Sequence, residues 1–274
     1  MPMEIEKETG VIVENHILTS AFLEREVKFD IYLPKHIIDP GEISLLLIND
    51  GQDLPRMDFE NILSDLYTGG SIQPLMCVGI HCSKDRRNEY GTVNVLDYKG
   101  RGNKATAYSH FIFHELLPFL RRSYMVTSFR EKSFCGFSLG GLSAFDIGWE
   151  NAREFSKIGV FSGSLWWRTV NQTDELFDED KHRIIHQKVR NGEYYPWLKF
   201  FFETGTMDET ADRNNNGVID AIDDTRSLID ELVDKGYVRN NDIMYLEMSD
   251  GRHDVPTWGR AFPEFLKWAW GVNM

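Results

Sequence analysis

Between Val11 and Pro34 apolar and polar residues alternate, through Val11-Ile12-Val13, His16-Ile17-Leu18-Thr19 and Glu26-Val27-Lys28-Phe29-Asp30-Ile31-Tyr32-Leu33. A period of two predicts two antiparallel strands joined by a polar turn. The pattern then changes. Ile43-Ser44-Leu45-Leu46-Leu47-Ile48-Asn49 and Leu75-Met76-Cys77-Val78-Gly79-Ile80 are nearly continuous apolar runs, as expected of strands covered on both faces. Further strands are predicted over 132–137, 158–161, 197–203 and 242–248. Helical spacing covers 58–67 (stopped by Gly69-Gly70), 105–122, 142–147 and about 256–270. Strands alternating with helices predict one α/β domain over 1–274, with a mainly parallel sheet covered on both faces. The polar segment 83–102 is too long for a simple connection, and such loops often carry function.

Composition narrows the classes. With 42% hydrophobic and 13% aromatic residues, the 274-residue chain can bury a substantial core, which excludes disorder. A net charge of −13 argues against nucleic acid or an anionic membrane as partner. The three cysteines, Cys77, Cys82 and Cys135, are odd in number, and two fall in apolar strands. They read as small buried hydrophobes in a reducing compartment rather than a disulfide framework. No stretch reaches membrane-spanning length, and the charged start, Met1 to Glu8, lacks an apolar signal region. The expected location is cytoplasmic, or periplasmic or secreted where a signal peptide has been removed. A homo-oligomer stays open.

Gly136-Phe137-Ser138-Leu139-Gly140 follows an apolar strand and opens a helix-compatible segment. In that context Gly-x-Ser-x-Gly means a nucleophile elbow, where a sharp strand-to-helix turn needs small residues on both sides of the serine. Triad order in such folds is serine, acid, histidine. Asp208 follows the Phe200-rich strand, with Glu209 and Asp212 close by as alternatives for the acid, and His253 follows the last strand; both lie at carboxyl ends of strands, where ligands of open α/β sheets bind. His253 would take and return the Ser138 proton, and Asp208 would fix its tautomer and stabilise the imidazolium. The oxyanion donors expected are the backbone N–H of Leu139, at a helix start, and of Gln52, in the loop Asn49-Asp50-Gly51-Gln52-Asp53.

Asn49-Asp50-Gly51-Gln52-Asp53, Gly136 to Gly141, Gly205-Thr206-Met207-Asp208 and Gly251-Arg252-His253 with Trp258 together resemble the putative-esterase family. That group includes S-formylglutathione hydrolases, enterochelin esterases and feruloyl esterases. The resemblance implies an α/β-hydrolase fold with a mainly parallel eight-stranded sheet and a serine triad at Ser138, Asp208 and His253. The expected activity is hydrolysis of carboxylic esters through an acyl-enzyme, with feruloyl or acetyl esters of carbohydrates as the preferred class and no cofactor for catalysis. The substrate is a small molecule. An acyltransferase would use the same triad with an alcohol in place of water, and a non-catalytic binding protein would leave the triad incomplete. Arg86, Glu89 and Tyr90 in the long loop, with Trp166 and Trp167 after the strand at 158–161, are the candidate pocket residues.

A second signal follows Asp208. From Asp212 to Asp223, oxygen side chains occupy loop positions 1, 3, 5, 9 and 12 (Asp212, Asn214, Asn216, Asp220 and Asp223). Val218 stands at the position that offers a backbone carbonyl, and Gly217 at the sharp bend. This is the spacing of an EF-hand calcium loop, with Asp in place of Glu at the end, as in the dockerin loops it also resembles. The expectation is a structural Ca²⁺ that braces the acid loop.

Overall fold

A computed structural model describes residues 10–35 and 43–272 of the chain; the charged start, Met1 to Glu8, lies outside them. The strands are β1 (Val11–Ser20), β2 (Arg25–Pro34), β3 (Ser44–Asn49), β4 (Leu75–Ile80), β5 (Lys132–Phe137), β6 (Lys157–Phe161), β7 (Lys199–Met207) and β8 (Ile243–Arg252). They form one sheet in the order β1-β2-β4-β3-β5-β6-β7-β8. β1 pairs with β2, and β2 with β4, antiparallel; every later pair is parallel. The mainly parallel sheet expected from the alternation is thus present.

The apolar runs are continuous because both sheet faces are covered. On β3, Leu45 and Leu47 face one core while Leu46 and Ile48 face the other; on β7, Phe200 and Phe202 oppose Phe201. The first core is closed by helices Leu139–Glu150, Ile184–Asn191 and Asp220–Lys235 and by the helical stretch that starts at Ala105. Helices Phe59–Thr68 and Val255–Trp270 close the second.

The predicted helix over 105–122 contains a π turn at Ile112–Leu116, where the Leu117 N–H bonds the Ile112 carbonyl. Pro118 begins the following turn and has no N–H to give, so the ladder shifts register ahead of it. β8 runs longer than predicted, through Gly251-Arg252, and pairs with β7 across an irregularity between Gly205 and Met207. The carboxyl ends of β7 and β8 therefore lie side by side, and the residues that follow them, Asp208 and His253, come from neighbouring strands.

Candidate active site

Ser138 stands between the end of β5 and the helix Leu139–Glu150 with φ 55° and ψ −120°. A non-glycine residue rarely takes that backbone, and it persists only where the surroundings over-determine it. The Ser138 N–H donates to the Phe161 carbonyl at 2.8 Å, and its carbonyl accepts from the Ser164 N–H at 3.0 Å. The glycines are required by close approach: a Cβ on Gly136 would strike the Gly140 backbone, and one on Gly140 would strike the Asp50 carboxylate. Leu139, the expected oxyanion donor, is the first residue of the helix.

The loop after β3 is fastened from several sides. Asn49 Nδ2 donates to the Gly140 carbonyl at 2.8 Å, and Tyr108 donates to Asn49 Oδ1 at 2.6 Å. The Asp50 N–H donates to the Tyr90 hydroxyl, and Arg86 donates to both Asp50 oxygens at 2.7 Å. Gln52 lies in the 3-10 turn Gly51–Met57, and its Oε1 accepts from the Cys82 N–H at 3.0 Å.

Asp208 and His253 line one cavity of about 230 Å³ together with Ser162, Gly163, Ser164, Trp166, Glu209 and Ala221. Ser138 Oγ reaches this wall through Ser164 Oγ, 3.4 Å away. Hollows of about 290 and 270 Å³ elsewhere, one against Phe59 and one against Ile184, hold none of the expected catalytic residues. Neither Asp208 oxygen has a hydrogen-bond partner among the described residues, so Asp208 and His253 border one cavity without being bonded to each other. Such contacts often tighten only with substrate bound. Burial pushes the Asp208 carboxyl up and the His253 imidazole down, while each group's charge pulls the other back. His253 meets the Trp258 ring edge-on at 5.4 Å.

Of the five residues expected along the pocket, Trp166 lines this cavity. The other four are engaged elsewhere. Glu89 is 1% exposed and holds Arg25 through two bonds of 2.7 and 2.6 Å. Tyr90 is fully buried beneath Asp50, and Trp167 is buried against Gly91 and Gly102. Arg86 braces Asp50. Arg86 and Glu89 pair with Asp50 and Arg25 instead of standing free in a cleft, although the Arg86 charge still reaches His253 and helps to lower its pKa. Glu209, a neighbour of the expected acid, reaches the cavity, and so do Ser162 and Ser164, for which the sequence offers only the position of Ser162-Gly163-Ser164 at a strand end.

In the loop after β7, Asp212 accepts from the Asn216 and Gly217 N–H groups, and Asn216 Oδ1 accepts from the Val218 N–H. Asn214 and Asn216 both turn their amides to Asp223 Oδ2, at 3.1 and 2.7 Å. Asp212, Asn214, Asn216 and Asp223 thus converge. Asp220 does not join them: it accepts from the Arg213 N–H and pairs with the Arg213 guanidinium at 3.2 Å. Among the described residues no three His, Cys, Asp or Glu side chains converge as a metal cluster.

The family model described as putative esterase matches residues 20–269. The chain belongs to the putative esterase family. Its sequence is 22% identical over 249 residues to the uncharacterized protein YjcH of Bacillus subtilis (strain 168), covering 89% of this chain and 92% of that one. Esterases also share the fold. The enterobactin esterase FES of Shigella flexneri superimposes with a TM-score of 0.72 at 20% identity, over 94% of this chain and 58% of that one. A ferulic acid esterase gives 0.70 at 16% identity, over 95% and 98%. The siderophore hydrolase EstB of Aspergillus nidulans gives 0.70 at 17% identity, over the whole of both chains. The chain thus spans little more than half the length of the Shigella esterase. The shared architecture is the α/β-hydrolase fold. Among the described residues no helix is long and apolar enough to cross a membrane.

Proposed function

We propose that the protein hydrolyses carboxylic esters through an acyl-enzyme formed on Ser138. The observation that carries this reading is the strained, positive-φ backbone of Ser138 at the strand-to-helix turn, beside a cavity lined by Asp208 and His253. Ser138 Oγ attacks the ester carbonyl as His253 takes its proton. The N–H groups of Leu139 and Gln52 hold the oxyanion, and Asp208 stabilises the imidazolium. His253 then gives its proton to the departing alcohol and activates water to release the acid. Family membership supports ester chemistry, and the Trp166 wall supports an aromatic or acyl-sugar ester, with feruloyl and acetyl esters of carbohydrates first. The test is a panel from short nitrophenyl esters to feruloyl sugars, with and without an alcohol acceptor. Free acid as the main product supports hydrolysis; transfer to the acceptor makes the protein an acyltransferase; no turnover of any ester counts against the reading.

We infer that the Asp212–Asp223 loop holds a structural calcium ion. The support is the spacing of the oxygen-bearing side chains and the gathering of Asn214 and Asn216 around Asp223, where rotation of the two amides would turn their oxygens inward. Hard oxygen donors on one turning loop suit Ca²⁺ at roughly 2.4 Å. The Val218 carbonyl completes the set, and Asp220 is excluded by Arg213. The ion would stiffen the segment that leads from Asp208 to the helix Asp220–Lys235.

A further inference from the structure

Behind Asp208 lies a second acid that the proposed mechanism does not use. Glu203, on β7, is 1% exposed, and neither of its carboxyl oxygens has a hydrogen-bond partner among the described residues. Both oxygens of Asp208 are in the same condition. A pair of neighbouring buried carboxyls without donors is costly if both are ionised, so the pair is expected to hold a proton.

The surroundings indicate which acid keeps that proton. The groups acting on Glu203 are the Asp208 carboxyl, the Ser162 hydroxyl and backbone N–H at the end of β6 and, from the last helix, the Arg260 guanidinium. Arg260 is committed to Asp250 at 2.7 Å on the surface, so it compensates little at depth. The Ser162 hydroxyl acts on Asp208 too, although with neither acid does it form a hydrogen bond of good geometry. Trp258 Nε1 donates to Ser162 Oγ at 2.9 Å, and the Ser162 N–H donates to the Glu203 carbonyl at 2.8 Å. With the indole N–H on one lone pair, Ser162 has its own O–H to give, one hydroxyl between two acids. Asp208 borders the cavity and faces His253, whose charge favours its anion, with Asp254 opposing. Glu203 faces no cation of its own. Burial, then the Asp208 charge, pushes its carboxyl up to about 8.

We propose that Glu203 is a positioning residue: a neutral carboxyl group that, together with the Ser162 hydroxyl, holds the Asp208 carboxylate in place for His253. The proposal rests on the reading of Asp208 as the acid partner of His253. Its role passes through Asp208, so Glu203 need touch no substrate.

The test combines Glu203→Gln, Glu203→Leu and Ser138→Ala in the full chain. At neutral pH the infrared spectrum of the wild type should show a protonated-carboxyl band that Glu203→Gln removes and Ser138→Ala retains. Glu203→Gln keeps a neutral donor and should retain the wild-type kcat/KM profile below about pH 8. Glu203→Leu should lose about ten-fold or more in kcat with little change in KM, and its acid limb should move to higher pH as the freed Asp208 anion binds the His253 proton more tightly. Absence of the band from the wild type overturns the proposal. So does an acid limb that moves down in Glu203→Gln, because that shift reports removal of a charge. A folded Glu203→Leu with unchanged kcat and pH profile also overturns it. The infrared band needs no turnover, so it stands apart from the triad reading, which fails separately if Ser138→Ala remains active.

Discussion

Arg86 grips both oxygens of Asp50 at 2.7 Å, and the same guanidinium donates to the Phe137 carbonyl at 3.2 Å. One side chain thereby ties the loop that carries Gln52 to the strand that delivers Ser138. The Asp50 side chain is 4% exposed, so Arg86 is its charge compensation. Arg86→Ala strands that carboxylate and should destabilise the protein by about 3–5 kcal/mol, with a larger loss of kcat than of substrate binding. Arg86→Lys keeps the charge but loses the fork, and should fall between the two. Urea unfolding and steady-state kinetics on both variants check this.

The elbow leaves no space for a methyl group. Gly136→Ala puts a carbon against the Gly140 backbone, and relief requires the helix start to move away from β5. The expected cost is about 1–3 kcal/mol in stability. Ester hydrolysis should fall by about 10²-fold, because Ser138 and the Leu139 N–H shift together. A Gly136→Ala variant with wild-type melting temperature and activity contradicts the close approach.

Burial lowers the His253 pKa below its ordinary value of 6.5. The neutral imidazole that accepts the Ser138 proton therefore persists to lower pH. The acid limb of kcat/KM should lie below that ordinary value, with activity rising as pH climbs through it. An acid limb above it would show that the Asp208 charge outweighs burial.

Stability should depend on pH through Glu203. The folded state keeps a proton up to about pH 8 that the unfolded chain releases near 4.5. Because the folded state binds more protons between those values, the contribution of Glu203 to stability should be highest below the lower one, fall as pH rises, and level off above the upper one. The total fall is on the order of a few kcal/mol. Glu203→Gln has no such proton, so the difference in urea-unfolding free energy between variant and wild type should grow over that window and then stay constant.

Calcium should act on stability rather than on chemistry. Loading to about a hundred times Kd should add about 2.7 kcal/mol, and chelation should remove it. Asp212→Ala and Asp223→Ala should each abolish the calcium-dependent rise in melting temperature and leave kcat close to that of the metal-free wild type. A melting temperature indifferent to both calcium and chelator counts against the loop.

The sheet could be read from the sequence because its strands are covered on both sides; Leu45 to Ile48 and Phe200 to Phe202 leave no other interpretation of their apolar runs. The elbow was legible because the close approach of Gly136 to Gly140 demands glycines at fixed spacing. The fates of Glu89, Tyr90 and Trp167 were not legible. A polar loop of mixed charges looks the same whether those charges face a cleft or pair inward, and only the contact of Glu89 with Arg25, far away in the chain, distinguishes the two. The helix Ile184–Asn191 carries little signal in the sequence because it is short and mostly polar, with its apolar side formed by Ile184, Ile185 and Val189. Glu203 ends an aromatic run, and nothing in the neighbouring residues indicates that it lies beside Asp208 behind the cavity.

The central claim is that Ser138 is the nucleophile, and covalent labelling tests it most directly. Intact-mass and peptide analysis after a fluorophosphonate probe should find one adduct on the wild type, located at Ser138, and none on Ser138→Ala. A wild type that stays unlabelled while a control serine hydrolase reacts, or a label that survives in Ser138→Ala, contradicts the account.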